Sequence, residues 1–96
     1  MKTVEVRFTK TADLFMALID DKRLQFTNGV ATRDLRENED HALTWFVRGA
    51  PGSKYTIEVA SPPEAKFKHE GTIDASTKDA GLHWIRVTAT AKGDAK

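Results

Sequence analysis

The stretch Leu43-Thr44-Trp45-Phe46-Val47-Arg48-Gly49-Ala50-Pro51-Gly52-Ser53-Lys54-Tyr55-Thr56-Ile57-Glu58-Val59 decides the fold class. Leu43, Trp45 and Val47 alternate with Thr44, Phe46 and Arg48, and Tyr55, Ile57 and Val59 alternate with Thr56 and Glu58. A period of two marks a strand with one buried face. Between the two runs Pro51 presets φ, and Gly49 and Gly52 tolerate positive φ, so the chain can reverse there without strain. The reading predicts a β-hairpin with Trp45 facing a core and Phe46 facing away from it.

Working outward, the same period recurs on both sides. Val4, Val6 and Phe8 alternate with Thr3, Glu5, Arg7 and Thr9, which predicts a half-buried first strand. Ala65, Phe67, His69, Gly71, Ile73 and Ala75 share one parity, and Pro62-Pro63 before them ends the preceding strand because proline cannot donate to a ladder. Ser76 to Gly81 reads as a polar connection, followed by a last strand in which His83, Ile85, Val87, Ala89 and Ala91 face inward. Residues 29–40 are poor in aliphatics and rich in charge, which predicts a solvated loop pinned by Val30 and Leu35.

Thr11 to Asp21 is ambiguous, because Leu14, Phe15, Leu18 and Ile19 share a helical face while Leu14, Met16 and Leu18 share a strand face. Asp20 and Asp21 would oppose the dipole at a helix C-terminus. They suit a turn better, so a second strand and a hairpin into Arg23 to Thr27 are expected.

The prediction is an all-β, mostly antiparallel sandwich of six or seven strands over residues 1–91, with a polar tail over 92–96. The alternative is α+β, with a helix near 13–19 on an antiparallel sheet. A tryptophan in a central strand, a Pro-Gly turn and the Tyr55-x-Ile57-x-Val59 strand resemble immunoglobulin-like or fibronectin-type sandwiches in general look. That resemblance is architectural and implies no activity.

Composition limits the function classes. The chain has 96 residues, 15 basic and 14 acidic side chains and a formal charge of +1, too little to gather a polyanion by charge alone. There is no cysteine, so disulfides, thiolate metal sites and cysteine nucleophiles are excluded. No apolar run reaches the roughly 18 residues of a membrane span. Taking Met1 as the native start, no leader follows it and a cytoplasmic protein is expected; an export signal removed upstream would place it outside the cell.

The tests for chemistry are mostly negative. Ser53, Ser61 and Ser76 lie in turns or strand ends without a nucleophile elbow, and Gly49 to Lys54 is too short for a phosphate loop. His41, His69 and His83 all fall on core parity, where three converging imidazoles could bind zinc, yet their scatter over three segments favours separate histidines. Asp34, Glu37, Glu39 and Asp40 lack a calcium-loop order and are interleaved with Arg33 and Arg36, so local ion pairs are expected. Neither a metal nor a cofactor is called for, and no catalytic residue is assigned.

The functional lead is the outward parity of two strands. Phe46 and Trp84 face away from the core in this reading, accompanied by Arg48 and Arg86. Exposed aromatics edged by arginine are typical of recognition surfaces. The competing and commoner fate is burial under the segment from Thr11 to Asp40, as a second core layer. The expected function is a non-catalytic binding or accessory module for a protein or another macromolecule. A carbohydrate-binding module stacking sugars on Trp84 and Tyr55 is one alternative; a structural or oligomerisation subunit is another.

Overall fold

A computed structural model describes residues 1–10 and 14–88. Eight strands fall within them: β1 (Lys2–Lys10), β2 (Leu14–Ile19), β3 (Lys22–Arg23), β4 (Val30–Leu35), β5 (Asp40–Arg48), β6 (Lys54–Ser61), β7 (Phe67–Thr72) and β8 (Lys78–Arg86). They form two four-stranded sheets, in the orders β4-β1-β6-β7 and β3-β2-β5-β8, and every pairing is antiparallel. The all-β sandwich expected from periodicity is the architecture observed. β1 lies inside its sheet, whereas the immunoglobulin order places the first strand at an edge.

The interior is built by the alternation seen in the sequence. Val4, Val6 and Phe8 of β1 and Tyr55, Ile57 and Val59 of β6 are buried from one sheet; Ala17 and Ile19 of β2, Leu43, Trp45 and Val47 of β5 and Ile85 of β8 meet them from the other. At one end Phe8 stacks on Phe15 with centroids 3.9 Å apart, and the Phe26 ring meets Phe15 edge-on at 5.1 Å. At the other end of the core, Leu35 and His41 are buried beneath the β4–β5 connection.

One central expectation is overturned. β5 and β6 do not pair as a hairpin: β5 runs between β2 and β8, and β6 runs between β1 and β7. Residues 49–53 carry the chain from one sheet to the other. Their backbone bonds go mostly to the segment between β7 and β8: Gly49 N–H donates to Thr77 O at 3.0 Å, Gly52 N–H to Ile73 O at 2.7 Å, and Ser53 O accepts from Ile73 N–H at 2.8 Å. A hairpin and a sheet-crossing corner present the same parity to the core, so alternation cannot distinguish them.

Other boundaries move. Residues 14–19 are strand, in agreement with the preferred reading; Asp20 and Asp21 both have positive φ (52° and 67°), forming the two-residue turn of a β2–β3 hairpin whose second strand is only Lys22–Arg23. The charged segment expected as a loop contains β4, an edge strand with Ala31 and Leu35 buried and Arg33 on the same parity. Arginine at the middle inward position interrupts the apolar alternation and hides the strand. β7 is shorter than expected, following a 3-10 turn at Pro63–Ala65, and β8 begins at Lys78 within the expected connection. Residues 89–96, including the expected end of the last strand and the polar tail, lie outside the described residues. No helix among the described residues is long and apolar enough to cross a membrane.

Candidate functional site

The outer face of the β3-β2-β5-β8 sheet is set by the residues left over once the core is filled. The registers place Leu14, Arg48 and Lys78 in one row across β2, β5 and β8; Met16, Phe46 and Ala80 in the next; then Leu18, Thr44 and Leu82. Ala42 and Trp84 follow, and Asp40 with Arg86 closes the face. Adjacent strands lie about 4.8 Å apart and successive same-face residues about 7 Å apart, so these side chains are immediate neighbours. Leu14 is 59% exposed, Phe46 49%, Leu82 53% and Trp84 60%. The sequence-predicted direction of Phe46 and Trp84 is therefore the observed one, and among the described residues no second layer encloses them.

The two arginines differ. Arg86 donates to Asp40 Oδ1 and to the Asn38 carbonyl, each at 3.0 Å, so its charge is engaged at the rim. Arg48 has no ion pair among the described residues and stands directly opposite Lys78. Like charges facing each other across a ladder repel, and an anion between them would relieve that repulsion. Leu14, Met16, Phe46 and Ala80 line a groove of about 430 Å³ together with Arg48, Lys78 and Asp79. An apolar groove lined also by two cations, with its one carboxylate, Asp79, held by the Tyr55 hydroxyl, suits an apolar side chain next to a carboxylate.

The groups capable of acid–base chemistry are used inside the fold. The Tyr55 hydroxyl donates to Asp79 Oδ2 at 2.6 Å and accepts from Trp45 Nε1 at 3.2 Å, with His69 Nε2 3.4 Å away. Burial, reinforced by the bond to Asp79, pushes the Tyr55 phenol up to about 12, so it stays protonated. Tyr55 is 2% exposed, which removes it as a sugar platform beside Trp84. Two interior glycines make this network possible: a Cβ at Gly71 would lie 2.4 Å from the Tyr55 ring, and one at Gly81 would lie 2.2 Å from the Trp45 ring. Periodicity placed Gly71 on the inward side; it did not show which ring fills its space.

The three histidines do not meet. His83 stacks on Phe67 with centroids 3.6 Å apart, and burial pushes its pKa down. His69 lies against Trp45 and Tyr55. His41 is buried elsewhere, with Nδ1 2.5 Å from Asp20 Oδ2 and Nε2 2.9 Å from the Arg36 carbonyl. The acidic run is likewise dispersed: Asp34 accepts from the Thr3 hydroxyl, Glu37 pairs with the N-terminal amine, Glu39 with Arg36 and Asp40 with Arg86. Among the described residues no three His, Asp or Glu side chains gather into a metal site. No protein-family model, curated protein or solved structure matches this chain at a significant level.

Proposed function

We propose that this domain is a non-catalytic binding module that recognises a protein partner through the outer face of the β3-β2-β5-β8 sheet. The observation that carries the reading is the contiguity of Leu14, Phe46, Leu82 and Trp84 on one exposed face of a sandwich whose interior is already filled. Large apolar side chains cost free energy when left in water, and grouped exposure on this scale is characteristic of interaction surfaces. Phe46 is the apolar anchor. Arg48, which has no ion pair among the described residues, lines the groove, so the partner segment carries an apolar residue beside a carboxylate.

The test compares the wild-type domain with a Phe46→Ser/Arg48→Glu variant in cross-linking capture, with circular dichroism as the fold control. Both positions are exposed, so the variant is expected to melt within a few degrees of wild type and to lose capture at least about tenfold, the loss of one anchor. Unchanged capture by the folded variant would remove the face from consideration.

A further inference from the structure

We infer that the outer edge of β8, unpaired among the described residues, is self-complementary and pairs with β8 of a second copy of this chain, antiparallel about a two-fold axis at Leu82. The inference goes beyond the binding-face reading and stands on a different observation, the contrast among the four sheet edges.

An edge strand exposes unpaired N–H and C=O groups, and natural domains blunt such edges. β3 is only two residues long. β4 carries Thr32, Arg33 and Asp34 in succession. β7 carries Lys68 and Glu70 and follows Pro62-Pro63. Among the described residues β8 is the least protected of the four: it is nine residues long, pairs with β5 without a register shift from Arg86 to Lys78, and confines its charges to Lys78, Asp79 and Arg86, leaving Ala80 to Ile85 without Lys, Arg, Asp or Glu.

The ladder fixes which groups face outward. Gly49 N–H bonds to Thr77 O, so odd-numbered residues of this strand direct their backbone toward β5. The N–H and C=O groups of Ala80, Leu82 and Trp84 therefore point to the open side. Antiparallel pairing of two β8 strands about Leu82 sets even residues against even residues, as hydrogen bonding requires. It places Leu82 against its own copy, Trp84 against Ala80 of the second copy, and Lys78 against Arg86 of the second copy.

This register suits the side chains. The large exposed Trp84 ring covers the smallest outward residue of the strand, and Leu82 meets Leu82. Lys78 falls opposite Arg86 of the second copy at each end of the ladder, a like-charge contact that opposes pairing and is partly offset by the Arg86–Asp40 ion pair. The interface is isologous and closed, so it yields a dimer and not a fibre. The result is a continuous eight-stranded sheet, in which the two outer faces join into one. Edge pairing of this size falls at the small end of specific interfaces, so the expected dissociation constant is about 10–100 µM.

The experiment combines sedimentation equilibrium with directed cross-linking. Wild-type protein is expected to shift from monomer to dimer between about 5 and 500 µM, the range set by that constant. Leu82→Lys puts two cations on the axis and is expected to weaken association at least about tenfold with the fold intact. The chain has no cysteine, so Leu82→Cys adds a single thiol. Opposed residues of a hydrogen-bonded pair lie about 5.5 Å apart, within disulfide range, so this variant is expected to oxidise to a covalent dimer. Phe46→Cys, three strand spacings across and four residues along from its copy, about 20 Å away, is expected not to. A wild-type monomer throughout, with both thiol variants oxidising equally slowly, would overturn the pairing; so would a dimer that Leu82→Lys leaves intact. Failure here leaves the Phe46/Arg48 capture result standing, and loss of that result leaves the cross-link standing.

Discussion

His41 shows how much a single residue's surroundings decide. Its Nδ1 faces a carboxylate and its Nε2 a carbonyl, and both are acceptors, so both ring nitrogens donate only when the imidazole is protonated. Burial pushes its pKa down, but the bond to Asp20, the Arg36 carbonyl and the neighbouring carboxylates push it up by more, and the net shift is upward. For Asp20, burial raises the pKa while the bonds from His41 and the Ala42 amide lower it further, so the net shift is downward. Stability from His41 is complete below its ordinary value of 6.5 and is lost as pH rises through the raised folded value. Stability from Asp20 is complete above its ordinary value of 3.8 and is lost as pH falls through the lowered one. The clamp is therefore strongest between those two values. Thermal melts of His41→Gln against wild type are expected to show a loss of roughly 1–2 kcal/mol at pH 5.5, since charge-assisted bonds to a partly exposed carboxylate are worth about that much. The gap is expected to narrow as pH rises beyond 6.5 and through the raised folded value. His83, whose pKa is lowered, acts in the opposite sense at low pH in both proteins and cancels in the difference. Parity in the sequence put His41 on the core side; its partners, 21 and 5 residues away, became adjacent only through the fold.

At the scale of elements, local chemistry was legible where it is decided locally. Asp20-Asp21 read as a turn because carboxylates oppose a helix C-terminus, and the turn they form needs positive φ at both residues. Aspartate tolerates that conformation less well than glycine. Asp21→Gly is expected to stabilise the domain by about 0.5 kcal/mol, raising Tm by about 2–4 °C in calorimetry. Asp20 is unsuited to the same change because it holds His41 and the Ala42 amide. β4 escaped notice for the converse reason: its inward positions are Ala31, Arg33 and Leu35, and its strand character comes from the ladder with β1, where Val4 faces Arg33 and Val6 faces Ala31. A partner strand recruited that segment, and its own periodicity did not announce it.

At the scale of the molecule, the buried side chains of both sheets form one cluster, from Val4 and Phe8 through Trp45 to Ile85 and Val87. A core shared between sheets makes neither sheet stable without the other, so unfolding is expected to be a single transition. Trp84→Phe leaves Trp45 as the only tryptophan, and denaturant curves followed by its fluorescence and by far-ultraviolet circular dichroism are expected to coincide. Separate midpoints would show that the sheets part independently. The alternation of side chains determined by itself that this chain is a two-faced β protein, that Trp45 is enclosed, and that Phe46 and Trp84 point the other way, because a strand's facing depends only on its own period of two. Which strands pair, that the chain crosses between sheets at Gly49 to Ser53, which strands form the sheet edges, and that Arg86 is held by Asp40 while Arg48 has no ion pair among the described residues were decided only in the tertiary structure. Those are relations between segments far apart in the chain, and a local period carries no information about the segment on the other side of a hydrogen bond.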